Sequence, residues 1–260
     1  MNKLLLLLSL VVGTAGADNL ISIDQVSSGN NNSTTVTVEG SGNTVDYSFG
    51  GANNTVNIDQ KGDNAYFGYT TAWGSGASWG GDLAGNYNDL NIKQFCNQSS
   101  CGGDRFEFHI QGDSNNVDFG QGYHVTNAGS FQTPDNYEYG GHYLRLDIHG
   151  SSNTVIGSQR SNNSGHEHSN TTNVYGSNND VYTRQEYNQD KTIDLTINNS
   201  NNDVDIIQGG NASHSATISL SGSYGTDLDL TQYSNTAQTY SLTQSCATVG
   251  GCSVSVSQGQ

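Results

Sequence analysis

Along most of the chain apolar side chains alternate with polar ones in short runs, and run after run closes on glutamine. Ile21-Ser-Ile-Asp-Gln25, Val56-Asn-Ile-Asp-Gln60, Leu90-Asn-Ile-Lys-Gln94 and Val117-Asp-Phe-Gly-Gln121 share this form. So do Val204-Asp-Ile-Ile-Gln208, Leu228-Asp-Leu-Thr-Gln232, Tyr240-Ser-Leu-Thr-Gln244 and Val254-Ser-Val-Ser-Gln258. The runs ending at Gln159 and Gln185 are degenerate copies, and Val45-Asp-Tyr-Ser-Phe49 carries Phe at the glutamine position. A strand sends alternate side chains to one face, so each glutamine shares the face of the apolar residues before it. A buried amide without a partner costs about 2–7 kcal/mol, so a chain that repeats the arrangement must satisfy it.

Between these runs lie turns and a second kind of strand. Gly40-Ser-Gly-Asn43, Gly150-Ser-Ser-Asn153, Gly176-Ser-Asn-Asn179 and Asn199-Ser-Asn-Asn202 read as turns in which Gly and Asn supply positive φ. The strands before the turns read Val36–Val38, Phe106–Ile110, Leu144–Ile148, Ile193–Ile197 and Ala216–Leu220. Strand, turn, strand and turn together take about 23–26 residues, the period of a solenoid coil. An antiparallel sandwich also uses short alternating strands, but it has no need of glutamine at one fixed position. In a solenoid, equivalent residues stack about 4.7–4.8 Å apart and identical amides bond along the column. The pattern therefore predicts an all-β chain, a β-solenoid of stacked two-strand coils with the ten glutamines as a structural column.

Two stretches break the rhythm. Residues 62–88 hold Tyr66, Phe67, Tyr69, Trp73, Trp79 and Tyr87, and residues 122–142 hold Tyr123, Phe131, Tyr137 and Tyr139. Such Gly- and aromatic-rich insertions suit a glycan- or surface-binding patch. The expectation is instead that most of the rings pack over the coil edge, since aromatic burial dominates. Residues 1–17 have the form of a signal peptide, with Lys3, an apolar run Leu4–Val12 and a small-residue site ending at Ala17. The apolar run is too short to span a bilayer, which leaves residues 18–260 as one exported solenoid domain without a membrane span.

The chain is 12% charged with a formal net charge of −16, a balance that disfavours nucleic acid and anionic lipid as partners. Export and an even count favour two local disulfides, Cys96 with Cys101 and Cys246 with Cys252, over a zinc site of four thiolates. His166-Glu-His168 lies in a polar loop, with His142 and His149 nearby, but spacing places no third ligand. No phosphate-binding loop, dinucleotide fingerprint or nucleophile elbow appears. Neither an enzyme nor a cofactor or metal site is expected.

The glutamine-ended strands with Gly and Asn turns resemble curlin repeats, the units of bacterial curli fibre subunits. In that family a Gln-x-Gly is followed by Asn and Ala, with a second Gln half a coil later. Gln60-Lys-Gly62-Asp-Asn64-Ala65 and Gln208-Gly-Gly210-Asn211-Ala212 come close, though shorter before Asn. The likeness spans most of residues 18–260 and is strongest over Ile193–Gln258, whereas the long insertions and cysteine pairs depart from the family. It implies an extracellular functional amyloid, a matrix subunit that partners itself head to tail. The alternative expectation is a surface or phage-virion adhesin that binds a cell surface or glycan through the aromatic insertions.

Overall fold

A computed structural model of the chain describes residues 6–15, 19–25, 31–68, 81–96, 103–126, 128–132 and 138–259, with residues 6–15, Gln25 and Gly81 entering through their backbones. The strands are β1 (Leu6–Ala15), β2 (Leu20–Gln25), β3 (Asn32–Gly40), β4 (Thr44–Gly50), β5 (Thr55–Lys61), β6 (Tyr66–Gly68) and β7 (Gly81–Ala84). Then follow β8 (Asp89–Phe95), β9 (Arg105–Gln111), β10 (Asn116–Gln121), β11 (Tyr143–His149), β12 (Thr154–Gln159), β13 (His168–Val174) and β14 (Asp180–Gln185). The last are β15 (Lys191–Ile197), β16 (Asp203–Gly209), β17 (His214–Gly222), β18 (Thr226–Tyr233), β19 (Gln238–Cys246) and β20 (Cys252–Gln258).

These form two ten-stranded parallel sheets. The glutamine sheet runs β1-β3-β5-β8-β10-β12-β14-β16-β18-β20, and the facing sheet runs β2-β4-β6-β9-β11-β13-β15-β17-β19, with β7 beside β6 in one row. Each coil supplies one strand to each sheet, so the fold is the β-solenoid that the repeat predicts, with eight complete coils from β3–β4 to β18–β19. Inward positions form columns between the sheets. Val56, Leu90, Val117, Val155, Val181, Val204 and Leu228 make one, and Phe106, Leu144, Ile193 and Ala216 belong to another on the facing side. Each fully buried aliphatic side chain contributes about 1.5–3 kcal/mol, which a thin two-sheet core needs along its whole length.

The degenerate run before Gln159 has a packing cause. Gly157 takes the inward position, and a Cβ there would lie 2.2 Å from the Phe119 ring of the neighbouring coil. The large ring fills the space that the missing side chain leaves.

Register corrects several sequence expectations. Val36–Val38 belongs to the glutamine sheet, where Val38 pairs with Gln60. Gln25 and Gln244 lie in the facing sheet, in register with Phe49 and Leu220, so neither joins the column of the other eight. Alternation fixes which side of a strand a residue occupies but not which sheet the strand enters. The first insertion is narrower than 62–88, because β6 and β7 are halves of one facing-sheet row, and residues 69–80 between them lie outside the described residues. The polar stretch at His168 is a strand, β13, where the inward Thr172 donates to Asn170 and Asn170 donates to Thr183. Residues 6–15, expected as part of a leader, form β1 alongside β3. No helix among the described residues is long and apolar enough to cross a membrane.

Candidate functional site: amide columns and coil ends

The eight glutamine-sheet strands from β5 to β20 end inward in one amide column. Gln60 Nε2 donates to Gln94 Oε1 at 2.8 Å, and Gln94 to Gln121 at 2.9 Å. The chain continues from Gln121 to Gln159 at 3.1 Å, to Gln185 at 2.9 Å, to Gln208 at 3.0 Å, and to Gln232 and Gln258 at 2.8 Å each. The second hydrogen of each amide reaches a backbone carbonyl at the start of a facing-sheet strand, such as Thr44 from Gln60 and Thr192 from Gln208. Both donors are thus used at interior coils, and the burial cost is met. All seven bonds point the same way, towards the carboxy-terminal coil. Gln258, at the last strand, accepts from Gln232, but among the described residues its Nε2 donates only to Thr239 O, at 3.5 Å.

A second ladder occupies the opposite corner. Asn32, Asn54, Asn88, Asn115, Asn153, Asn179 and Asn202 each accept at Oδ1 the backbone N–H of the next coil's equivalent residue, the last reaching Thr226. The positive φ sits one residue earlier, at Asn53, Tyr87, Ser114, Ser152, Asn178 and Asn201. Sequence reading credited the ladder asparagines with the turn and missed their bonding role. The recurrence of Asn immediately before the strand was the available signal.

At the remaining corner the equivalent positions change chemistry along the axis. Asn19 and Asn43 begin a short asparagine ladder, and then come Ala65, Asp104, His142, His168, Lys191 and His214. Several of these side chains bond backbone carbonyls at this corner: His168 Nε2 lies 2.7 Å from Arg160 O, and Lys191 Nζ donates to Asn188, Gln189 and Gly210. Burial pushes the Asp104 carboxyl up to about 8 against the N–H groups of His142 and Gly141. It drives the His142 imidazole down to about 3 and His168 well below its ordinary range. Burial likewise lowers Lys191 to about 8. The rings of His142 and His168 stack at 4.9 Å, whereas His166 turns to Asp190, 3.5 Å away. The His166-Glu-His168 pair therefore does not converge on a common point.

The aromatic residues of the insertions divide. Phe67 is fully buried in the core, stacked on Phe106 at 5.3 Å, which corrects its expected place in a binding loop. Tyr66 lies on the outer face beside the Arg105 guanidinium, 5.7 Å from it. Tyr139 is half-buried and donates its N–H to Ser161 O. Tyr69, Trp73, Trp79 and Tyr137 lie outside the described residues. The second insertion packs on the outer face of the glutamine sheet, where Val125 and Phe131 meet Ile156, Tyr182 and Ile207. Arg160 fixes its far end, donating from Nε and Nη2 to the buried Glu138 at 3.0 and 2.9 Å. Cys246 and Cys252 form a disulfide between β19 and β20; Cys96 is disulfide-bonded, and Cys101 lies outside the described residues.

At the carboxy-terminal end the core opens. Tyr240 and Leu242 on β19 and Val254 and Val256 on β20 are only partly buried, whereas their interior equivalents Ala216, Ile218, Leu228 and Leu230 are buried. Ile21 and Ile23 on β2 are partly buried at the opposite end. No family model, curated protein or solved structure matches the chain.

Proposed function

We propose that the chain is a secreted structural subunit, a curlin-like fibre protein that assembles by end-to-end stacking of its coils. The observation that carries this reading is the pair of half-covered coil ends. Apolar core side chains, free strand edges and the outward-directed Gln258 amide meet on one end face, and such edges template a further strand. Head-to-tail contact of unlike faces does not close and yields a filament.

Strand order makes the joint specific. With the leader removed, the leading strand is β2, from the facing sheet, and the trailing strand is β20, from the glutamine sheet. β20 of one copy and β2 of the next then make one complete coil, with β2 on β19 and β20 under β3. In that joint Gln25 falls in the column of Gln244, so the two glutamines that stand outside the main column become register neighbours. Leader strand β1, paired along β3, occupies the edge that β20 needs. Cleavage is in this way a precondition of assembly.

The test is electron microscopy and fibre diffraction of the protein cleaved after Ala17. Filaments with a 4.7–4.8 Å axial spacing are expected. A concentrated sample that stays monomeric for days would overturn the reading. An adhesin is the second reading, favoured by one observation: β6 ends at Gly68, β7 resumes the same row at Gly81, and the intervening sequence 69–80 carries Tyr69, Trp73 and Trp79. Deleting 69–80 separates the two, since a fibre subunit still assembles and an adhesin loses its target.

A further inference from the structure

On the outer face of the facing sheet, far from the amide columns, three potential metal ligands converge. His109 on β9 is the register partner of Asp147 on β11, and His149 follows two residues later on the same face. One ligand atom from each lies within 4.8 Å of the other two. From these residues we infer that His109, Asp147 and His149 form a site for a divalent transition metal of the zinc class.

The state of Asp147 is the decisive detail. Its side chain is nearly inaccessible, with the residue 3% exposed, although it sits on the outward face of the sheet. Oδ2 accepts a hydrogen bond from the Tyr175 hydroxyl at 3.3 Å. Oδ1 is buried and 2.8 Å from His149 Nε2, yet the pair lacks the alignment of a hydrogen bond. The carboxylate oxygen has no aligned hydrogen bond, and it stands with the imidazole nitrogen where both could donate to one cation. A buried carboxylate oxygen left in that state is costly, and a cation between the donors removes the cost.

The surroundings support the same reading. Tyr175, from β13's turn, holds Asp147 through its hydroxyl and stacks its ring on His149 at 5.3 Å, and the His109 ring tilts against His149 at 5.0 Å. One tyrosine thereby orients two ligands, as outer-shell partners of metal sites do. Asp82 on β7 is the register partner on His109's other side and adds negative charge. Two imidazoles and one carboxylate suit zinc, copper or nickel rather than calcium or magnesium, which take oxygen ligands. His149 is 37% exposed, so a fourth position faces solvent. Three protein ligands with one open position is the composition of a reactive or bridging zinc site, not of a closed structural one.

Zinc titrated calorimetrically into the full cleaved chain at pH 7.5 tests the site. One equivalent should bind, and cobalt should give the visible bands of a four-coordinate site. Asp147→Asn, His109→Gln and His149→Gln should each weaken zinc binding about tenfold or more, with His166→Gln unchanged. Undiminished binding in the folded Asp147→Asn and His149→Gln variants would overturn the inference, as would the absence of binding in the parent protein. Should the variants fail to fold, histidine ring NMR of the parent decides: zinc must shift His109 and His149, and shifts confined to other histidines reject the site.

Discussion

Val38 on β3 is the register partner of Gln60 on β5, and the amide column stops at that pair. Gln60 Oε1 is buried with no hydrogen-bond partner among the described residues, whereas each later glutamine accepts from the one before it. Val38→Gln would supply the missing donor and aim its second hydrogen at the carbonyl of Leu20, the register equivalent of Thr44. In the cleaved protein, where the new end amide meets solvent, stability should rise by about 0.5–1.5 kcal/mol. Urea denaturation of both proteins reads the change.

Interior breaks should be far more damaging. Gln208 accepts from Gln185 and donates to Gln232 and Thr192. Gln208→Leu leaves one donor and two acceptors without partners in a dry column, at about 1–3 kcal/mol each. A loss of at least about 3 kcal/mol in the same denaturation experiment is expected. A loss below about 1 kcal/mol would show that the column is decorative.

Glycines in the second turn stack as closely as the amides. A Cβ on Gly112, where φ is +130°, would lie 2.0 Å from Gly150 O of the next coil. Gly165 has φ +80° and open space around it. Gly165→Ala should cost only the backbone strain, about 1 kcal/mol. Gly112→Ala must in addition push two coils apart, so its melting temperature should fall much further or the protein should not fold.

How much of this was legible in the chain depends on which spacing carried it. The amide column was, because period two and one recurring residue type coincide at Gln60, Gln94, Gln121, Gln208 and Gln232. β13 was not, because its inward Asn170 and Thr172 bury polar groups that satisfy one another and leave no apolar alternation. The sheet membership of Gln25 and Gln244 was hidden for another reason: register depends on how many strands precede, not on the strand itself. His109 and Asp147 are 38 residues apart, and the 122–142 excursion between them destroys any ligand spacing. Only stacking makes them neighbours.

The buried corner column sets a stability maximum near pH 6.5. Asp104, raised to about 8, is protonated in the folded chain but ionised in the unfolded chain between pH 4 and 8. The folded state then holds the extra proton, so stability falls as pH rises from 6.5 towards 8, by at most about 1.4 kcal/mol per unit, and the fall levels off near 8, where Lys191, lowered to about 8, begins to lose its proton in the folded chain alone. His142, lowered to about 3, and His168 act oppositely: below 6.5 the unfolded chain binds protons that the folded chain refuses. With His214 also lowered by burial, the column's three histidines outweigh one carboxyl, so stability also falls as pH drops from 6.5 towards 4, with the raised Asp59, Asp82, Asp89, Asp180 and Asp205 softening the decline at its acid end. Asp104→Asn should flatten the alkaline limb and His142→Gln the acid limb in a series of melts from pH 4 to 8.

Stacking of unlike faces makes a sharper prediction than loss of assembly. Leu242 on β19 is half-buried at the carboxy-terminal end face and shares the inward column of Ile23, which leads the other face. Leu242→Lys places a charge where the next copy's β2 must dock, while its own core loses little because the side chain can reach solvent. Leu195→Lys, the same change in the same column at a buried interior coil, should abolish folding. A folded Leu242→Lys subunit still owns an intact leading face. It should therefore add to the trailing end of a wild-type filament and accept nothing further. Thioflavin kinetics should show growth arrested by substoichiometric Leu242→Lys, and Ile23→Lys should inhibit by blocking the opposite end. If the variant instead co-assembles without slowing growth, the coil ends are not the joint.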